Sequence, residues 1–449
     1  MHFRENRLTL LVVVILIPLC LPACKTGEPV APNVARSSST PVSVPTPAPD
    51  VAAEREQTEG VIRTLEARLK RDPEDFIAAN KLAGYYLQRQ RETGDANYLD
   101  LAARAARASL ATLPAEMNIG GLKTLAEVEY ALHNFAAARD HATRLTELEP
   151  RKSYPYQILG EALVELGDYE RAATVYRQMQ SLSSITTATE SRLARLAFLR
   201  GETETARQHL AAALAAATNS DAARSETVAW CQWQLGELSF AIGDYKAAEQ
   251  HYRDSLNTFP DYFRALAGLA RTRAAHGDLQ EAIDGFERAT RILPDPMVIA
   301  TLGDLYKLAG RDAEAAQQYR LVERIAHLGK SDALYNRQLA LFYADHDMKA
   351  EEAYRHAVKE YETRPDIYGA DTVAWTALKA GKLDEAQAKI KEALRLNTKD
   401  AKLYYHAGMI ARAVGDATAA RDYLKRALAL NPHFDLLQAA RAREALDAL

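Results

Sequence analysis

Between Trp230 and Pro294 the chain carries one pattern twice. Leu235-Gly236, Gly243, Ala248, Tyr252 and Pro260 recur as Leu269-Ala270, Gly277, Ala282, Phe286 and Pro294, so Ala248 to Ala282 and Pro260 to Pro294 are both steps of 34 residues. A fixed period of that length constrains the fold more than any other feature of the chain. It marks a helical unit that cannot bury its apolar face alone and is stable only when stacked on its copies. Each offset has a packing job in a pair of antiparallel helices. Gly236 lets the second helix approach closely, Ala248 sits at the closest crossing, and Tyr252 fills the space beside it. Gly243 supplies the left-handed residue of the turn, and Pro260 ends the second helix because its ring cannot continue the hydrogen-bond ladder.

On these residues and this period the chain resembles the tetratricopeptide repeat family. Composition agrees on class: Ala, Leu, Glu and Arg dominate and strand formers show no period-two runs, which predicts an all-α protein. The resemblance implies a right-handed α-solenoid of stacked antiparallel helix pairs. A solenoid grows by adding units, so 449 residues do not call for two or three globular domains. Further units follow the template around Ala102, Ala138, Ala172 and Ala206, and beyond Pro294 around Gly303 and Ala315. Between Tyr335 and Pro365 the turn glycine is replaced by Asp345-His346-Asp347, after which Ala386, Gly408 and Ala420 restore the register. The template gives about ten repeats, placed in an array over 52–434 with a capping helix over 435–449. The packing positions expected from it are Gly236, Ala248, Ala282, Gly303, Ala386, Gly408 and Ala420.

Residues 1–23 read as a leader: Arg4 and Arg7 precede an apolar run from Leu8 to Leu19 that is short for a membrane span. It ends in Leu21-Pro22-Ala23-Cys24, which resembles a bacterial lipobox, although Pro22 departs from the usual residue. The resemblance implies a lipid on Cys24. Lys25 follows where an inner-membrane retention Asp would stand, so the expected location is the bacterial envelope, at the outer membrane. An ordinary secretory signal cut near Ala23 is the alternative. Residues 24–51, rich in Pro, Ser, Thr and Val, have no apolar periodicity and read as a tether that extends about 3.1 Å per residue.

Net charge is only −4, which gives no electrostatic case for nucleic acid. Of three cysteines, Cys20 lies in the leader and Cys24 begins the tether, which leaves Cys231 as the one thiol of the folded part and no intradomain disulfide to form. No paired-His zinc motif, Gly-rich phosphate loop or Gly-x-Ser-x-Gly elbow is present, and no cofactor or catalytic residue is expected. Asp345-His346-Asp347 is the nearest approach to a metal set. Adjacent side chains diverge, and a solvated turn is the better expectation.

What remains is surface. The family resemblance implies that the second, fifth, ninth and twelfth positions of each first helix face a concave groove. This mapping selects Trp230, Trp233 and Glu237, then Tyr368, Asp371 and Trp375, then Lys402, Tyr405 and Arg412, with Asn336, Arg337 and Gln338 added from the irregular unit. Aromatics and Arg commonly anchor interfaces. The alternative for all of these aromatics is core filling with the register shifted by one, and Trp375 and Arg337 are expected to be replaceable without loss of fold. The expected function is therefore a non-catalytic scaffold binding a protein or peptide in the groove. An accessory factor in envelope assembly or secretion is the alternative. An enzyme with an unrecognised site is a minor one, because the array leaves no stretch long enough for another domain.

Overall fold

A computed structural model describes residues 51–182, 185–220, 224–328 and 332–449. The leader, Cys24 and the tether up to residue 50 lie outside the described residues. Every regular element is a helix, with no strand among the described residues. After α1 (Val51–Arg71) come ten hairpins: α2 (Phe76–Thr93) with α3 (Asn97–Thr112), α4 (Ile119–Ala131) with α5 (Phe135–Leu148), α6 (Tyr154–Glu165) with α7 (Tyr169–Leu182), α8 (Thr187–Leu199) with α9 (Thr203–Thr218), α10 (Ser225–Ala241) with α11 (Tyr245–Thr258), α12 (Phe263–His276) with α13 (Leu279–Ile292), α14 (Pro296–Leu308) with α15 (Asp312–Leu328), α16 (Asp332–Asp345) with α17 (Ala350–Thr363), α18 (Ile367–Lys379) with α19 (Leu383–Ala393), and α20 (Ala401–Ala413) with α21 (Ala417–Leu430). α22 (Gln438–Asp447) packs on α20 and α21 at the C-terminal end. The molecule is an α-solenoid of stacked helix pairs.

The local chemistry explains the punctuation. Asp244, Asp366 and Asp416 accept backbone N–H groups at the starts of α11, α18 and α21, satisfying donors that a helix leaves orphaned. Prolines 114, 150, 260, 294 and 432 each follow the last residue of a second helix by two. Within a hairpin the contact depends on what is absent. A Cβ on Gly236 would stand 2.5 Å from Tyr252 Cε1, and one on Gly303 would meet Tyr319 at the same distance. The ring of the second helix therefore lies directly on the backbone of the first. Ala248, Ala282, Ala386 and Ala420 have no exposed surface.

The coil closes on itself. Ile367 N–H donates to Tyr169 Oη at 2.8 Å, Arg395 donates to the Gly167 carbonyl at 2.9 Å, and Asn431 Nδ2 donates to the Phe240 carbonyl at 2.7 Å. These partners are 198, 228 and 191 residues apart, or roughly six repeats of this period. The turns within hairpins α6/α7, α8/α9 and α10/α11 thus abut the linkers after α17, α19 and α21, one superhelical turn later. Across this seam Arg364 pairs with Glu165, which also pairs with Arg195 at 2.6 Å. Burial would raise the Glu165 carboxyl, but Arg195 and Arg364 hold it below its ordinary value. Seating one turn on the next removes inner-face charges from water, and they persist there because each is paired.

Candidate partner-binding cleft

The open part of the inner face lies on four consecutive first helices, α8, α10, α12 and α14, around a cleft of about 630 Å³. Phe198, Trp233, Phe263, Met297 and Val298 give it an apolar lining. The Arg264 guanidinium lies 5.5 Å from the Trp233 ring centroid and 5.1 Å from that of Phe263, within cation–π range. Arg271 donates to both Glu237 oxygens, at 2.7 and 2.9 Å, and to Tyr252 Oη at 3.1 Å. Glu237 and Arg271 are separated by one repeat period, 34 residues, so the pair ties one hairpin to the next at the cleft floor. Burial and the Glu237 carboxylate hold the Tyr252 phenol far above its ordinary value, and Tyr252 stays neutral.

The far wall belongs to the next turn of the coil. Tyr368 of α18 and Asp400, which precedes α20, line this cleft and also a second, smaller cavity of about 100 Å³. Arg337, Asp371, Thr372 and Lys402 complete the polar part of that cavity. Arg337 is held by Asp366 at 2.8 Å and Glu360 at 2.9 Å. Burial opposes charge on Lys402, but Asp345 and Asp435 keep its ammonium above the ordinary value. Burial raises the Asp400 carboxyl, and neighbouring Asp371 raises it further against the backbone donors of Leu403 and Lys402.

The structure separates the residues selected from sequence. Trp233 and Glu237 line the main cleft, and Arg337, Tyr368, Asp371 and Lys402 the smaller cavity. Trp230 does not face a groove: it is 2 % exposed and packs with Ala213 and Ala217 of α9. Trp375 and Tyr405 are also core rather than groove, at 0 % and 1 % exposure. The segment after α21 covers them, with Phe434 against the Tyr405 ring at 5.5 Å and Ala442 and Ala445 of α22 in the same cluster. Trp375 stacks on His406 at 4.2 Å and donates Nε1–H to Asp345 at 2.8 Å. Asn336 is buried against His356 Nδ1 at 2.9 Å. Arg412 is exposed and lines neither cavity. The spacing rule misplaces Trp375 and Tyr405 because it carries no information on the C-terminal segment that covers them.

Arg195, Phe198, Arg264 and Arg271 were missed, yet their signal was present. The second, fifth, ninth and twelfth residues of α8 and α12 include Ser191, Arg195, Phe198, Arg264, Ala267 and Arg271, all of which line the cleft. Asp345-His346-Asp347 resolves into three separate structural jobs. Asp345 serves Trp375 and Lys402, His346 reaches Asp304 at 2.7 Å, and Asp347 pairs with Lys379 and Arg441. Asp347 and Lys349 have φ of 55° and 42°, doing in two residues the left-handed turn that Gly provides elsewhere. Among the described residues no group of three His, Cys, Asp or Glu side chains is placed to hold a metal ion.

Models of the tetratricopeptide repeat match residues 123–184, 185–261, 239–305 and 374–435, together more than half of the chain. The chain is 23 % identical over 331 residues to TPR repeat-containing protein YpiA of Bacillus subtilis (strain 168), covering 70 % of this chain and 68 % of that protein. Among solved structures it is similar to the human IFIT1 dimer with PPP-AAAA, at 15 % identity and a TM-score of 0.45 over 84 % of this chain and 87 % of that one. A thermophilic TPR protein of Thermus thermophilus matches at 19 % identity and a TM-score of 0.37, over 43 % of this chain and 99 % of that one. With its period, its hairpins and the family models in agreement, the chain belongs to the tetratricopeptide repeat family.

Proposed function

We propose that this protein is a non-catalytic scaffold, anchored to a bacterial outer membrane through a lipid on Cys24, that holds a segment of a partner protein in the inner cleft. The observation that carries the reading is the cleft of about 630 Å³, apolar in most of its lining, with Arg271 and Glu237 already fixed on each other. A preformed concave site with few, positioned polar groups favours binding, because little ordering remains to be done when a ligand arrives. The tetratricopeptide fold supports a protein–protein interaction scaffold in general. The anchor rests on the order of leader, lipobox-like Cys24 and tether in the sequence. No described helix is long and apolar enough to cross a membrane.

The test has two arms. Cys24→Ser is expected to move the protein from the membrane fraction to the soluble one. The double variant Phe198→Ala/Trp233→Ala is expected to lose a partner that wild type retains after crosslinking in cells, at a temperature where circular dichroism shows the variant folded. Retention of the same partner by the double variant contradicts binding in the cleft, and unchanged fractionation of Cys24→Ser contradicts the anchor.

A further inference from the structure

The junction between the two cavities has an imbalance of charge. Its cations are already committed: Arg337 to Asp366 and Glu360, and Lys402 to Asp345 at 2.9 Å and Asp435 at 3.5 Å. Its carboxylates are not matched in the same way. Asp400 Oδ1 accepts the backbone N–H groups of Lys402 and Leu403 at 2.8 and 3.2 Å, and Oδ2 accepts the Tyr368 hydroxyl at 3.3 Å. Asp371 meets His406 Nδ1 at 2.9 and 3.0 Å. Neither forms an ion pair with Lys or Arg among the described residues. Two neighbouring carboxylates in the small cavity beside an apolar cleft repel each other and attract a cation more strongly than they would in water.

Resting on the reading that the cleft holds a partner segment, we infer that the segment carries a Lys or Arg side chain beside a large apolar one. The apolar residue packs against Phe198, Trp233 and Phe263 in the main cleft. The cationic head enters the cavity between Asp371 and Asp400. That cavity, about 100 Å³, has the room of about three waters at ~30 Å³ each, which suits an ammonium or guanidinium head rather than a whole side chain. The stem of the same side chain lies along Tyr368, the aromatic residue common to both cavities, as long basic side chains do on apolar surface. An acidic segment would bring its carboxylate against Asp371 and Asp400 and is excluded by repulsion.

The probe is a set of three fluorescent seven-residue peptide pools, N-acetylated and C-amidated, with Phe, Leu, Val and Ser mixed at the flanks and Lys, norleucine or Glu fixed at the centre. Fluorescence anisotropy with the full chain is expected to rank them Lys, norleucine, Glu, with Lys about tenfold or more tighter than norleucine. Asp400→Asn removes the charge but keeps the start of α20 capped, since Asn caps as well as Asp, and is expected to bring the Lys pool to the norleucine level. Asp371→Asn serves as the second variant. Equal binding of the Lys and norleucine pools overturns the inference and leaves the cleft reading standing. A Lys preference that survives both substitutions overturns the assignment to this junction. Failure of all three pools to bind overturns the cleft reading and the inference with it.

Discussion

Small side chains set how closely the paired helices of this molecule cross. Ala248 and Ala282 are fully buried where the two helices of their hairpins meet, so Ala248→Leu or Ala282→Leu is expected to overpack the crossing. Each is predicted to lose about 1–3 kcal/mol, read as a lower urea midpoint with an unchanged slope. Trp375 behaves in the opposite sense to its expected role as a replaceable groove residue. It is fully enclosed between His406, Tyr405 and the C-terminal segment, and Trp375→Ala is predicted to cost about 3–5 kcal/mol in the same measurement. His346 gives the fold a dependence on pH. One ring nitrogen lies 2.6 Å from the Phe342 carbonyl and the other 2.7 Å from Asp304, an arrangement that suits the protonated ring. Burial opposes that charge, but Asp304 and the carbonyl raise the folded-state pKa above 6.5. A group raised on folding stabilises below its unfolded pKa and loses that contribution as pH rises through the folded value. The stability that His346 contributes is therefore expected to fall as pH rises past the ordinary imidazole range, read as a gap in thermal midpoint between wild type and the non-titrating His346→Gln that narrows as pH rises. A gap that stays constant across that range would contradict the assignment.

At the scale of elements, the hairpin turns look alike in sequence and differ in what they touch. Gly167 and Gly381 occupy the same place in their repeats, with φ of 70° and 74°. An alanine at either costs about 1–2 kcal/mol for the left-handed conformation. At Gly381 nothing lies within 4 Å of the added Cβ, whereas at Gly167 it would stand 2.3 Å from the Pro365 carbonyl oxygen of the next superhelical turn. Gly167→Ala is thus predicted to destabilise more than Gly381→Ala, and equal urea midpoints would mean that the seam does not form. This difference marks the limit of what was legible. The 34-residue step from Ala248 to Ala282 dictates the hairpin and its stacking, since it acts through contacts inside one unit and with its neighbour. The seam joins residues such as Tyr169 and Ile367, 198 apart, and arises from small rotations summed over many repeats, which no local pattern records.

For the whole molecule, closure of the coil decides which inner-face residues reach solvent. The segment from Phe434 onward fills the groove of the last hairpins and buries Tyr405 and Trp375. The cleft survives on α8, α10, α12 and α14, with Tyr368 and Asp400 of the following turn as its far wall. Of the residues picked from sequence, Trp233, Glu237 and Tyr368 line this cleft, whereas Trp230, only three positions from Trp233, packs on α9. A helical face is narrower than the spacing rule assumes, and only the neighbouring hairpin settles which side of it is covered. The most direct measurement is photocrosslinking in cells with benzoylphenylalanine placed singly at position 233 in the cleft and at exposed Arg288 on α13, the second helix of its hairpin. One discrete adduct is expected from position 233 and none from position 288. An adduct from position 288 with none from position 233 would contradict binding in the cleft and move the binding surface to the outside of the coil.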